Sequence, residues 1–162
     1  MKKIFLSTGL FLFGITAFSQ AIKENGTIYI NHPYIDVINN SVKYYLAKDD
    51  AANMKIYADT AKWWVSGMDK AIKIAEAIKM WDTDFDYFDS IKVTVDGYPD
   101  YLHYIDKDAK VVQSWWHWAG KSKKTKEWVK VDYVQFDTFN KDGKIYFEGI
   151  YGDWSKMAKE KM

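Results

Sequence analysis

The stretch VQFDTFNKDGKIYFEGIYGD, residues 134–153, decides the fold class because it has the pattern of an antiparallel hairpin. Its first half continues an alternation in which Tyr133 and Gln135 share one face of a strand. Asp142 and Gly143 form a dipeptide that favours the tight turn between two antiparallel strands. The segment after this turn is again rich in aromatic and β-branched residues. We therefore predict two long neighbouring strands that close a sheet.

The rest of the chain divides into a helical first half and a β-rich second half. In residues 33–48 and 68–78 the apolar side chains recur at steps of three and four, which predicts one helical stripe in each segment. The short β-prone segment KWWVS, residues 62–66, lies between them. Residues 90–98 and 109–120 have the alternation or β-rich composition of strands. Helices followed by an antiparallel meander predict an α+β fold.

The first nineteen residues have the pattern of a secretory signal peptide. Lys2 and Lys3 precede an apolar run, which ends in small residues before a polar start. We place the cleavage site between Ser19 and Gln20, and we expect a single domain over residues 20–162. A secreted or periplasmic location follows from this interpretation. The apolar run is short for a membrane span, so no membrane association is expected after cleavage.

Composition excludes several classes of function. Without Lys2 and Lys3 the formal charge falls from +1 to −1, so no basic surface for nucleic acid is expected. There is no Cys and the three His are scattered, which argues against a metal site. No phosphate-binding loop is present, and no cofactor is expected. The 8 Trp, 12 Tyr and 9 Phe instead favour a pocket for a small apolar or aromatic molecule, or for a sugar.

Two segments resemble the nuclear transport factor 2-like superfamily, which includes polyketide-cyclase-like and ketosteroid-isomerase-like proteins. They are KWWVSGMDKAIKIAEAIKMW, residues 62–81, and the hairpin of residues 134–153. The resemblance implies a cone-shaped fold in which N-terminal helices pack on a strongly curved antiparallel sheet. It also implies a pocket between helices and sheet, and a convex outer side on which relatives often dimerise. The chain has no Arg, so family mechanisms that use Arg are excluded.

The segment SWWHWAGK, residues 114–121, carries large aromatic groups on both faces of a strand. Trp115 and His117 share one face, and Trp116 and Trp118 share the other. A β-bulge would exchange the two faces, so alternation alone does not decide which one is interior. We take Trp115 and His117 as the interior pair. A symmetric homodimer is the simplest way to cover the aromatic residues of the convex side.

The resemblance also selects the acid of the candidate site. Asp153 stands where polyketide-cyclase-like relatives keep an acidic residue that acts as acid or base, and alternation places it on the same face as Tyr151. We predict that Trp115, His117, Tyr151 and Asp153 converge on one cavity beneath the helices, with Trp64 nearby. The predicted catalytic residues are Asp153 and His117, and the predicted ligand-binding residues are Trp64, Trp115, Tyr133 and Tyr151.

Three hypotheses about function remain open at this point. The first is a secreted domain that binds a small apolar or aromatic molecule without an established reaction. The second is an enzyme of the same fold that catalyses proton transfer, hydration or dehydration through Asp153 and His117. The third is an extracellular carbohydrate-binding protein with a platform of Trp side chains. An enclosed pocket would favour the first two, and a flat exposed row of Trp rings would favour the third.

Overall fold

The structure, a computed structural model, describes residues 23–162. The proposed signal peptide of residues 1–19 and its cleavage site lie outside the described residues. The helices are α1 (Pro33–Ala47), α2 (Asp50–Ile56), α3 (Ile74–Asp82), α4 (Asp84–Tyr87) and α5 (Ser155–Glu160). The strands are β1 (Gly26–Tyr29), β2 (Tyr57–Val65), β3 (Ile72–Lys73), β4 (Phe88–Val95), β5 (Asp100–Tyr104), β6 (Ala109–Ser122), β7 (Trp128–Phe139) and β8 (Ile145–Gly152). No helix within the described range is long and apolar enough to cross a membrane.

The helices begin where the local sequence favours helix initiation. Pro33 occupies the first turn of α1, where its missing N–H removes no hydrogen bond. The side chain of Asp49 accepts a hydrogen bond of 2.9 Å from the backbone N–H of Ala52 and so caps α2. Helix α3 begins at Ile74, later than the predicted stripe, because residues 72 and 73 pair with β2 as a short strand. The α+β class is confirmed.

The eight strands form one curved, unclosed sheet in the order β1-β5-β6-β7-β8-β2-β3, and β4 also pairs with β6. Strand β6 is long enough to pair with β5 along its first half and with β4 along its second half. The predicted β7–β8 hairpin is present. All pairs are antiparallel except β2–β8, which is parallel. This pair makes the sheet mixed rather than wholly antiparallel, since β2 enters from the helical half of the chain.

The helices cover one face of the sheet, called here the inner face, and enclose two adjoining groups of buried side chains. The larger group includes Ile38 of α1, Ile74 of α3 and Val112 of β6. The smaller one surrounds Phe88 and Trp118, and its members are Phe88, Trp118, Val129, Val131 and Met157. Val93, Tyr133 and Trp154 pack against both groups.

A glycine on β6 makes room for the Trp118 ring. A Cβ atom at Gly120 would lie 2.5 Å from the end of that ring, so any larger residue would displace the indole. The ring also packs edge-on against Phe88, with 5.1 Å between their centroids. Gly120 therefore fixes the position of an aromatic side chain that faces the helices.

Candidate functional site

The inner face of β6 carries Trp116 and Trp118, not Trp115 and His117. Trp116 and Trp118 are almost fully buried, whereas Trp115 is 37% exposed and His117 lies on the same outer face. The predicted interior pair is therefore wrong. The physical reason is that the face of β6 that carries Trp115 and His117 also carries Lys121, whose charged side chain is exposed to solvent. Carrying the alternation on to Lys121 would have identified the outer face.

A cavity of about 300 Å³ lies between the helices and the inner face of the sheet. Most of its wall is apolar and aromatic. The apolar lining comprises Val42, Trp63, Val65, Met80, Trp81, Val93, Trp118, Tyr133, Ile150, Trp154, Met157 and Ala158. The polar lining comprises Ser41, Tyr45, Asn53, Tyr57, Asp84, Gln135, Glu148 and Lys161. Of the predicted site residues, only Tyr133 belongs to this lining.

Two carboxyl groups meet on the wall of the cavity that β7 and β8 form. Asp137 and Glu148 are direct cross-strand partners, and both are buried. The Tyr57 hydroxyl donates a hydrogen bond of 2.5 Å to Glu148 Oε2. The side-chain amide of Gln135 donates to both oxygens of Asp137, at 2.9 and 3.2 Å. Glu148 lines the cavity, and Asp137 lies behind it.

Burial controls the protonation of this acid pair. Burial raises the pKa of Glu148 to about 7, although hydrogen bonds from Tyr57 and Asp137 lower it. Burial and the neighbouring charge of Glu148 raise the pKa of Asp137 well above its ordinary range. Two adjacent carboxylates in a low-dielectric site cannot both ionise readily. Near neutral pH, Asp137 therefore holds its proton and Glu148 is the group that gains and loses one.

A second polar cluster lies in the part of the cavity that contacts the smaller buried group. The Tyr45 hydroxyl donates to Asp84 Oδ2 at 2.8 Å and accepts from Trp118 Nε1 at 3.0 Å. Lys161, which follows α5, forms an ion pair with Asp84. Burial raises the pKa of Asp84, although Lys161 and Tyr45 lower it. This cluster fastens the C-terminal helix over the cavity.

Three buried polar atoms on cavity-lining side chains have no hydrogen-bond partner among the described residues. They are Asn53 Oδ1, Trp63 Nε1 and Trp154 Nε1. Trp63 of β2 lies beside Glu148 of β8 in the parallel strand pair. Its indole N–H forms no hydrogen bond of normal geometry, but it is close enough to lower the pKa of the Glu148 carboxyl group. Buried polar atoms are paired in the great majority of cases, so three exceptions in one cavity are notable.

The predicted catalytic residues lie outside the cavity and apart from each other. Asp153 is exposed, and its Oδ1 accepts a hydrogen bond of 3.0 Å from the Ser155 N–H at the start of α5; this bond lowers its pKa. His117 Nδ1 lies 2.7 Å from Asp132 Oδ1 on the outer face, and this contact raises the pKa of the imidazole. The predicted convergence is therefore wrong, because the strand ends at Gly152, before Asp153, and His117 faces away from the helices.

The remaining predicted residues lie on the outer face of the sheet. Trp64 and Tyr151 are neighbours, with 5.1 Å between their ring centroids, but they lie outside the cavity beneath the helices. They line a shallow groove together with Phe136 and Phe147, and Tyr151 is 52% exposed. This groove is separate from the cavity that contains Glu148, since the two share no lining residue.

The sequence contained a signal for the acid pair. Asp137 follows Gln135 by two positions, so it lies on the same face as Tyr133. A carboxylate on the buried side of a strand indicates a functional or strongly paired group. Tyr57 was harder to identify because the pattern before β2 is helical, and only the parallel pairing of β2 with β8 brings this phenol to Glu148.

Comparison with solved structures identifies the architecture. IdmH from Streptomyces antibioticus, a candidate polyketide cyclase, superposes with a TM-score of 0.63 at 14% identity, covering 80% of this chain and 98% of that one. AusH from Aspergillus nidulans superposes with a TM-score of 0.61 at 15% identity, covering 76% and 86%. A nuclear transport factor 2-like protein from Burkholderia thailandensis gives 0.60 at 15% identity, covering 80% and 97%.

The chain has the nuclear transport factor 2-like fold. No family profile matches the sequence, and no curated protein matches it. The nuclear transport factor 2-like fold serves both ligand-binding and enzymatic domains, which is the level at which these similarities inform function. Anything finer depends on the side chains of the cavity.

Proposed function

We propose that the cavity binds a small, largely apolar molecule and that Glu148 exchanges a proton with it. One observation carries this proposal: a carboxyl group with a pKa of about 7 lies on the wall of an otherwise aromatic cavity. A general base or acid works best when its pKa is near the operating pH, because both protonation states are then accessible. Strongly shifted pKa values of this kind concentrate at functional sites.

The surroundings of Glu148 support a role in proton transfer. Tyr57 holds one carboxylate oxygen by a hydrogen bond. Burial, together with the charge of Glu148, raises the pKa of Tyr57 and keeps its hydroxyl protonated. Asp137 stays neutral behind Glu148 and serves as a hydrogen-bond donor. Both neighbours fix the carboxylate in place without competing for the proton that it would take from a ligand. The candidate polyketide cyclase among the structural neighbours is compatible with such chemistry.

The aromatic wall supports binding of an apolar molecule inside the protein rather than sugar binding on its surface. Trp63 packs edge-on against Trp81 in the cavity, with 5.9 Å between their centroids. On the outside, Lys92 Nζ lies over the ring of exposed Trp128 at 5.9 Å, which obstructs a sugar platform there. The Trp63–Trp81 pair gives a small apolar molecule an aromatic wall inside the protein, which Trp128 does not offer to a sugar outside.

Glu148→Gln tests the proposal, because glutamine keeps the size and hydrogen-bonding capacity of the side chain but cannot take up a proton. A ligand or substrate is first identified by native mass spectrometry of the purified protein and by screening small apolar compounds. We expect the variant to retain binding within a few-fold and to lose at least about 100-fold in turnover. Glu76→Gln, an exposed substitution on α3, is the matched control. Full turnover by Glu148→Gln would refute the proposed role.

We also propose that the protein acts in the periplasm or outside the cell. The basic start and apolar run of residues 1–19 support this location. Intact mass of the exported protein is expected to correspond to a chain that begins at Gln20. Recovery of the uncleaved chain from the membrane fraction would contradict it.

A further inference from the structure

We infer that Trp63 and Asn53 select a neutral, ring-bearing alcohol or phenol as the ligand of the cavity, an inference that rests on the proposed function of that cavity. Their side chains are more than nine-tenths buried, and both line the cavity. Trp63 presents an indole N–H that is near the Glu148 carboxyl group but makes no hydrogen bond of normal geometry to it, and Asn53 presents an amide oxygen with no donor. Together with Trp154 Nε1, the site therefore offers two free donors and one free acceptor to whatever fills it.

Unpaired atoms of both kinds specify the hydrogen bonds of the ligand. A buried polar group without a partner costs free energy, and a ligand that supplies the missing partner recovers that cost. An alcohol or phenol oxygen accepts one hydrogen bond and donates another. A ligand hydroxyl can thus supply a partner to either kind of atom, whereas an ether or ketone oxygen can only accept from an indole N–H.

The charges around the cavity argue for a neutral ligand. Glu148 and Asp84 both contribute carboxyl groups to the lining. Lys161 is the cation of the lining, and it is already paired with Asp84. An anionic ligand would bring a further negative charge into a low-dielectric site without a free cation to balance it. Carboxylic and phosphoric acids are therefore disfavoured.

The shape and size of the cavity argue for a ring. Trp63, Trp81, Tyr133 and Trp154 present aromatic surfaces to the interior. A volume of about 300 Å³ equals roughly ten waters at ~30 Å³ each. A fused bicyclic compound fits within that volume and can pack against these aromatic walls.

The test measures the affinity of the intact protein for three probes by isothermal titration calorimetry. Naphthalene has no polar atom, naphthyl methyl ether adds an acceptor, and naphthol adds an acceptor and a donor. We expect each added hydrogen bond to improve affinity by about 2- to 10-fold. Trp63→Phe should reduce the advantage of the ether over naphthalene, with Trp154 Nε1 left as the remaining free donor, and Asn53→Leu should abolish the advantage of naphthol over the ether.

Trp81→Phe is the matched control, because Trp81 lines the same cavity but has no unpaired buried N–H. This variant is expected to lower the affinity for all three probes alike and to leave their ratios unchanged. Circular dichroism checks that each variant folds, and Asn53→Leu still tests the inference if Trp63→Phe does not fold.

Equal affinities for the three probes in the unsubstituted protein would overturn the inference, as expected if water satisfies the free atoms. The same holds if no probe binds, or if both substitutions leave the ratios unchanged. These outcomes compare probe affinities and involve no turnover. The proposed proton transfer is judged separately by Glu148→Gln, so the two ideas can fail independently.

Discussion

Asp137 and Glu148 stand opposite each other on β7 and β8, with both carboxyl groups on the inner face and almost no solvent contact. Because they are adjacent, ionising one makes ionising the other more costly. The pair therefore titrates as a unit, in which Asp137 remains neutral while Glu148 ionises near neutral pH. A site of this kind stores a proton inside the protein and releases it within the physiological range.

The acid pair should make the protein less stable as pH rises from about 5 to about 8. The folded-state pKa of Glu148 is about 7, above its ordinary 4.5, so the folded state holds the proton more tightly than the unfolded state does. Stability from this group is therefore present at low pH and is lost as pH rises toward 7. The difference amounts to roughly 3 kcal/mol, at about 1.4 kcal/mol per pKa unit. Asp137 contributes in the same direction.

Urea denaturation of the unsubstituted protein and of Glu148→Gln at several pH values measures this effect. The variant cannot ionise at position 148, so its stability should depend less on pH, and it should be the more stable protein at about pH 8. Subtracting the two curves removes the contributions of exposed groups such as Asp153, whose lowered pKa acts in the opposite direction. Parallel curves would show that Glu148 does not titrate in this range.

Tyr57→Phe should raise the pKa of Glu148 further. The Tyr57 hydroxyl donates to the Glu148 carboxylate and stabilises its charged form, so removing it favours the protonated form. A hydrogen bond to a charged group contributes about 1.5–3 kcal/mol, which corresponds to an increase of about one to two pKa units. Infrared spectroscopy of the carboxyl C=O stretch as a function of pH follows this titration directly. Tyr44→Phe is the control, because Tyr44 is a half-buried tyrosine of α1 that does not line the cavity.

The order of helices and strands could be predicted from the sequence because the patterns that encode it are local. The hairpin around Asp142 and Gly143 is a case of this kind. The parallel β2–β8 pair could not be predicted in the same way, because its partners lie far apart in the chain. Tyr57 reaches Glu148 only through that pair. The site is thus assembled from contacts that no single segment contains.

The candidate site was misplaced because an alternating strand defines two faces without saying which is buried. The sequence predicts His117 and Trp115 as interior residues, whereas both lie on the outer face of the sheet. Tyr133, a predicted ligand-binding residue, lines the cavity, and Asp137 shares its face. A charged residue farther along the same strand, such as Lys121 on β6, indicates which of the two faces is exposed to solvent.

His117→Ala and Asp153→Asn should both leave turnover within about 2-fold of the unsubstituted protein. Neither side chain lines the cavity, and each is engaged with a surface neighbour, Asp132 and Ser155 respectively. Surface substitutions of this kind change stability little. Steady-state kinetics beside Glu148→Gln provides the comparison. If either variant lost more than about 100-fold in turnover, the substituted residue would take part in catalysis, and the ligand would have to bind outside the cavity.

The outer groove leads to a final prediction, that the protein forms a symmetric homodimer through this surface. Trp64, Phe136 and Tyr151 form an aromatic cluster on the outer face, with Tyr151 half exposed and 6.0 Å from Phe136 between ring centroids. Contiguous exposed apolar surface of this kind is typical of interaction sites, and a two-fold arrangement would cover it with an identical copy.

Tyr151→Lys tests the dimer, since a two-fold contact through Tyr151 would then bury two unpaired lysines facing each other. Charges buried without partners are strongly unfavourable, so the variant should be monomeric at micromolar concentration, where the unsubstituted protein is dimeric. Sedimentation velocity separates the two forms. Tyr98→Lys is the control, because Tyr98 is comparably exposed at 59% but lies outside the groove. If the unsubstituted protein sediments as a monomer, or if Tyr98→Lys dissociates it as readily as Tyr151→Lys does, the groove is not the contact surface.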